Sequence, residues 1–160
     1  MVRAMQQEDS SRVLEIYRMG LERGNSTFET EVPSWKEWDS KHLTHSKYIF
    51  EDNGIILGWV ALSPFSERKV YKGMAEVSIY VDTDFHGKKI GSCLMEQMIA
   101  SSELNGIWTL FSSVFPENEA TIKLHQKFGF RIIGKRERIA KLHGKWRDTI
   151  LLERRSSKFT

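Results

Sequence analysis

Hydrophobic positions recur along the chain at two periods, two and 3.6, and their order lays out the elements. Residues 2–5 suit a short first strand. Asp9 or Ser10 then stands where a helix N-cap belongs. Val13, Ile16, Tyr17 and Leu21 follow at helical spacing until Gly24-Asn25 stops them. Residues 26–31 read as a polar loop carrying one aromatic, Phe28. A second helix is predicted over 34–44, with Pro33 just outside it or Ser34 as its cap. Residues 47–51 form a short candidate strand, Asn53-Gly54 is a hairpin turn signal, and 55–63 is a nearly continuous apolar run of the kind buried central strands show. After a polar, basic connection over 64–73, residues 75–81 alternate. Val77, Ile79 and Val81 fall on one face, Glu76, Ser78 and Tyr80 on the other. A helix over 91–103 places Leu94, Met95, Met98 and Ile99 together. A strand over 107–114 and a short helix over 118–127 come next, with Leu124 and Phe128 inward and Gly129 at the C-terminal cap. Residues 130–133 and 146–152 bracket a final strand pair turning near His143-Gly144. The order β-α-α-β-β-β-α-β-α-β-β predicts a mixed α/β sheet with helices on its faces.

Composition narrows the class. There is no repeat, no Pro-rich or Gly/Ser-rich linker and no break in composition, so residues 1–160 are expected to form a single domain. Forty per cent hydrophobic residues exclude a disordered or low-complexity chain. The longest apolar stretch, 55–62, is far shorter than the roughly 20 residues of a membrane helix. The opening MVRAMQQEDSS has no apolar leader segment, and a single cysteine, Cys93, forms no internal disulfide. A soluble protein of the reducing cytoplasm is expected, without a membrane partner. The net charge of +3, from 24 basic and 21 acidic residues, is too mild to argue for nucleic acid by itself. From Lys123 onward, however, Lys and Arg far outnumber the only acids, Glu137, Asp148 and Glu153. Such a basic half can face RNA, a phosphorylated cofactor or water. The five tryptophans are scattered and form no stacking platform, so RNA ranks last and no nucleic-acid partner is expected.

The chemistry concentrates where the alternating strand 76–81 runs through 82–85 into His86-Gly87-Lys88-Lys89-Ile90-Gly91-Ser92 and then a helix. The unpaired N–H groups of the first helical turn and the helix dipole make an anion site there. Gly87 and Gly91 let backbone approach a ligand, and Lys88 and Lys89 add positive charge, so a pyrophosphate is the natural guest. No Walker loop, G-x-G-x-x-G fingerprint or G-x-S-x-G elbow is present. His42 and His45 lack carboxylate or cysteine partners at ligand spacing, so no metal site is expected.

This strand–loop–helix, followed by N-x-x-[AS]-x-x-[LM]-[YH]-x-x-x-G-[FY] as Asn118 to Phe130, resembles the GCN5-related N-acetyltransferases. The likeness is closer to their phosphinothricin and methionine sulfoximine acetyltransferase branch. It rests on Thr27-Phe28-Glu29-Thr30-Glu31, on Arg68-Lys69-Val70-Tyr71 before the glutamate-bearing strand, and on His143-Gly144-Lys145-Trp146-Arg147-Asp148. It spans nearly the whole chain. Three positions depart from the pattern. The loop's usual Gln or Arg is His86, its first glycine is Lys89, and the first of two arginines before the glutamate strand is Ser66. Lys89 either adds a phosphate contact or crowds the site.

The resemblance implies a mostly antiparallel central sheet with helices on both faces, acetyl-CoA as co-substrate, and direct transfer of acetyl to an amine. The expected acceptor is a small amino acid or analogue of the phosphinothricin or methionine sulfoximine type. Alternatives are an aminoglycoside, a polyamine, a protein N-terminus, or a module that binds acyl-CoA without catalysis. It further implies a homodimer. Glu76 takes the position of the general base; read alone, it is equally a solvent-facing strand glutamate or an ion pair with Arg68. His125 stands where many acetyltransferases carry the tyrosine that protonates the departing thiolate. A histidine of ordinary pKa, about 6.5, suits that task; otherwise it binds cofactor or is a plain helix residue. Ile79, Tyr80 and Val81 would pair with the pantetheine arm, a backbone N–H near Val81 facing the thioester oxygen. Residues His86 through Ser92 would hold the pyrophosphate, and Asn118 the cofactor arm, its own helix cap, or both. Thr27, Phe28, Glu29 and Arg68 would line or grip the acceptor.

Overall fold

The computed structural model describes residues 1–85 and 87–160. His86, expected in the cofactor loop, lies outside them. Seven strands form one sheet: β1 (Val2–Ala4), β2 (Tyr48–Asp52), β3 (Ile55–Pro64), β4 (Met74–Val81), β5 (Thr109–Val114), β6 (Arg131–Leu142) and β7 (Lys145–Arg155). Their spatial order is β1-β2-β3-β4-β5-β7-β6. Every neighbouring pair is antiparallel except β4–β5, as the mixed, mostly antiparallel reading requires. Four helices complete the fold: α1 (Ser10–Arg23), α2 (Trp35–Ser40), α3 (Ile90–Leu104) and α4 (Glu119–Lys127).

The period-two pattern of β4 sorts its side chains between two cores. Val77, Ile79 and Val81 pack with Leu94, Met95 and Met98 of α3, along with Leu124 of α4. Tyr80 turns the other way, stacking on Trp59 at 5.0 Å and meeting Val13, Ile16 and Tyr17 of α1 and Trp38 of α2. Helices therefore cover both faces. Asn53 (φ 50°) and Gly54 (φ 78°) take the left-handed pair that closes the β2–β3 hairpin.

Three local expectations are corrected. Asp9 precedes α1 but makes no side-chain cap bond. Its buried carboxylate instead takes both guanidinium arms of Arg3 at 2.9 Å and the Gln6 N–H at 2.8 Å. α2 ends at Ser40 rather than 44, although Ser34 does cap it, accepting the Glu37 N–H at 3.2 Å. The chain leaves that helix because Leu43 N–H is taken by the Leu62 carbonyl of β3 at 2.8 Å. The final strands run well beyond 130–133 and 146–152. β6 is an exposed, charged edge whose ladder to β7, rather than burial, holds it extended. It is bulged, and Arg138 (φ 50°) donates its N–H to Asp148 Oδ1 at 2.8 Å.

Candidate active site

β4 and β5 pair only over Met74–Glu76 against Thr109–Phe111. Beyond that point they part, and two cavities fill the opening. The larger, about 400 Å³, is a groove between the C-terminal end of α1, the far end of β4 and the N-terminus of α3. The smaller, about 290 Å³, sits between residues 76–80 of β4 and 112–115 at β5, roofed by the loop after α1. The cavities meet at Ser26, Ile79, Tyr80, Asn118 and Thr121, which line both.

The groove gathers most of the expected cofactor residues: Ile79, Tyr80, Val81, Gly87, Lys89, Ile90, Gly91, Ser92 and Asn118. Gly87 (φ 84°) lets the loop turn. Lys89 then begins α3 with φ 61°, a left-handed conformation that costs a β-carbon-bearing residue about 1–2 kcal/mol. Its side chain caps none of the first-turn amides, so they remain donors for an anion. Lys88 is not on the groove wall; its ammonium sits over the Phe85 ring, 5.2 Å from the centroid. Asn118 caps α4, its Oδ1 accepting the Thr121 N–H at 3.4 Å, while facing both cavities. Cap and groove wall thus coincide. Gly91 serves packing as well: a Cβ there would lie 3.0 Å from Leu124, so its absence lets α4 close on α3. Arg23, Asn25 and Thr121 also line the groove. Sequence reasoning missed them because Arg23 and Asn25 looked like the ordinary end of a helix.

The second cavity holds Glu76, Thr27, Phe28 and Glu29. Phe28 packs edge-on against Phe115 at 4.9 Å, and Thr27 Oγ1 accepts the Glu29 N–H at 3.2 Å. Glu76 is half-buried, and burial raises its carboxyl pKa above the usual range. Among the described residues its carboxylate has no hydrogen-bond or ion-pair partner, so the expected alternative of a pair with Arg68 is not formed. Arg68 is exposed, lies 5.5 Å over the Tyr71 ring and lines neither cavity. Its loop is set by Ser66, which accepts the Arg68 N–H at 3.1 Å, and by a 3₁₀ turn over Lys69–Tyr71. The structure thus brings the expected acceptor residues together except Arg68.

His125 is buried at 2 % exposure, not a surface helix residue. Nδ1 lies 2.7 Å from the Thr121 carbonyl, which only accepts, so Nδ1 carries the proton. In the neutral ring, Nε2 therefore accepts from the Ser112 hydroxyl at 2.8 Å. Burial lowers the pKa below the ordinary value expected from the sequence, which favours the neutral ring. Ser112 shares the cavity wall with it and was not anticipated. Its only signal was a polar residue among the apolar neighbours of β5.

A parted pair of parallel strands, with a helix N-terminus beside the gap and a carboxylate inside it, is the arrangement that the resemblance to the GCN5-related N-acetyltransferases implies. Residues 10–130 match the acetyltransferase (GNAT) family. The chain is 34 % identical to YwnH of Bacillus subtilis (strain 168), over 98 % of this chain and 99 % of that one. It is 26 % identical to phosphinothricin N-acetyltransferase of Streptomyces coelicolor over 96 % and 94 %. The solved GNAT superfamily phosphinothricin acetyltransferase from Sinorhizobium meliloti, in complex with acetyl-CoA, superposes with a TM-score of 0.91. It has 25 % identity and covers 100 % of this chain and 90 % of that one. The chain belongs to the GNAT acetyltransferase family. It is an N-acetyltransferase with acetyl-CoA as co-substrate. The groove's uncapped helix amides and cationic Lys89 suit the anionic end of that molecule. No described helix is long and apolar enough to cross a membrane.

Proposed function

We propose that the protein acetylates the amine of a small amino acid or analogue, of the phosphinothricin or methionine sulfoximine type, by direct attack on acetyl-CoA. The observation that carries this reading is the Glu76 carboxylate in the wall of the second cavity, without a hydrogen-bond or ion-pair partner among the described residues. Relatives named as phosphinothricin N-acetyltransferase and L-methionine sulfoximine/L-methionine sulfone acetyltransferase support the acceptor class. Acetyl-CoA supplies the activated acetyl group. Gly87, Lys89 and the first-turn amides of Ile90, Gly91 and Ser92 hold its diphosphate, with His86 in the same loop and Lys88 reaching it only by leaving the Phe85 ring. The edge of β4 at Ile79, Tyr80 and Val81 and the Asn118 side chain guide its arm toward the second cavity. Thr27, Phe28 and Glu29 enclose the acceptor, and Arg68 reaches its carboxylate only by swinging in from the rim.

Glu76 takes the proton the ammonium must lose, and its raised pKa keeps it a stronger base than an exposed glutamate. On the other side, Ser112 and His125 form a proton relay. His125, neutral at rest, takes on Nε2, through Ser112 Oγ, the second proton that the nitrogen sheds as it bonds the acetyl carbon, and the same path returns that proton to the departing sulfur. The same reading makes residues 1–160 one catalytic domain at work in the cytoplasm. It is a homodimer, a second copy covering Ile132, Ile133, Ile139 and Trp146, which the final hairpin exposes.

A second reading has its own support. Glu29 and Glu76 line the acceptor cavity, and no Lys or Arg does among the described residues. That charge favours a cationic amine without a carboxylate, such as a polyamine or aminoglycoside. Free-thiol release from acetyl-CoA with methionine sulfoximine, phosphinothricin, their carboxamides and a polyamine separates the two. Faster turnover of the free acids supports the amino-acid reading; faster turnover of the carboxamides and polyamine supports the second. Silence across the panel contradicts both.

A further inference from the structure

We infer that the Arg12–Asp82 ion pair is a positioning device that sets how the cofactor loop meets α1, and so governs acetyl-CoA affinity from outside the groove. The inference rests on reading that groove as the acetyl-CoA site. Asp82 follows β4 directly, and its side chain is only 4 % exposed. One carboxylate oxygen accepts the Asp84 N–H at 2.9 Å; the other is paired with the Arg12 guanidinium. Its own N–H donates to the Leu57 carbonyl at 2.8 Å, and its carbonyl accepts the Phe85 N–H at 3.0 Å. Asp82 therefore shapes the 3₁₀ turn Thr83–Phe85, from which the chain runs on toward Lys89 and α3.

Arg12 is anchored just as fully. Nε donates to the Ile56 carbonyl at 3.0 Å and Nη1 to Glu15 at 3.1 Å. A planar guanidinium engaged on three acceptors has one available orientation. The first turns of α1, the start of β3 and the base of the cofactor loop are thereby locked at a single point. Neither Arg12 nor Asp82 lines either of the two cavities described above. Other residues of the same two elements do: Gly20 and Arg23 further along α1, and Thr83, Phe85 and Gly87 beyond Asp82. The two walls of the groove thus rise from the clip. A buried ion pair is a poor source of net stability, because a packed apolar pair serves as well. What this pair supplies is direction: carboxylate, amide and guanidinium together dictate where the loop departs.

Calorimetric titration of acetyl-CoA and steady-state kinetics test the role on Asp82→Asn, Arg12→Gln and their double variant. Glu103→Gln is the control. It disturbs another buried carboxylate, paired with Arg154 and Ser156 at the far end of α3. Each single variant is expected to raise the acetyl-CoA Kd and KM about tenfold, with kcat at saturating cofactor changed less than about threefold. The double variant leaves neither charge buried without its partner, so its loss of affinity is smaller than the two single losses combined. Glu103→Gln loses stability but not affinity. Should the single variants not fold, Arg12→Lys, which keeps the charge and loses the fork, gives an intermediate Kd. Folded variants with wild-type Kd, or an equal loss in Glu103→Gln, would overturn the inference alone. A wild-type protein without affinity for acetyl-CoA would overturn the reading of the groove and the inference with it.

Discussion

At the scale of single residues, the site places three side chains in costly states. Glu76 is half-buried without a hydrogen-bond or ion-pair partner among the described residues, and burial disfavours its ionised form. The sign follows: the cost is absent below the unfolded pKa of about 4.3 and grows as pH rises through the raised folded value. Glu76→Gln should therefore raise thermal stability at pH 7, by at most about 1 kcal/mol or ~3 °C given its partial exposure, and not at pH 4. Melting curves at the two pH values read this directly. His125 is the opposite case. Its folded pKa is depressed, so its contribution is present above the unfolded value of about 6.5 and is lost as pH falls below it. Ser112→Ala, which cuts the relay, should lower kcat about tenfold while leaving the acetyl-CoA KM within about twofold; equal kcat in the variant would remove Ser112 from the reaction. Lys89 holds a left-handed conformation that glycine adopts without strain. Lys89→Gly should raise stability by about 1 kcal/mol and yet weaken acetyl-CoA binding several-fold. A variant that gained both would show that the lysine crowds the groove.

At the scale of elements, the sequence announced whatever was half-buried or fully buried. The alternation of β4, the apolar run of β3, the Asn53-Gly54 turn and the apolar face of α3 all describe positions where packing dictates residue type. What failed had other causes. β6 carries Lys135, Arg136, Glu137 and Arg138 through a strand, and a solvated edge leaves no hydrophobic period. α2 was cut short by a hydrogen bond to β3, which no local pattern contains. Asp9 has the composition of a cap, but a guanidinium 6 residues upstream competes for its carboxylate. The Ser112–His125 bond joins β5 to α4, so residue type alone suggested the histidine and not its partner. Capping does behave locally at Ser34. Ser34→Ala should cost about 1 kcal/mol in chemical denaturation and leave turnover unchanged, because α2 lines neither cavity.

At the scale of the molecule, one parting of strands organises everything. Beyond Glu76 β4 leaves β5, and that gap joins the groove, proposed for the long anionic cofactor, to the second cavity, proposed for a small amine. The motifs that marked the loop and the glutamate strand from sequence lie on the two sides of this opening; Arg68, matched by the same motifs, lies outside it. The exposed apolar side chains of the final hairpin belong to this scale too. Sedimentation velocity at micromolar concentration should give twice the mass of 18.7 kDa, and Trp146→Glu should return the monomer. A wild-type monomer at that concentration would leave the hairpin without the proposed partner. The central claim concerns Glu76, and one comparison reaches it most directly: initial rates of wild type and Glu76→Gln with a responsive amine at neutral pH. The account predicts turnover lower by about 10²–10⁴ with the acetyl-CoA KM within about twofold. Undiminished turnover, or a loss confined to acetyl-CoA binding, would contradict it.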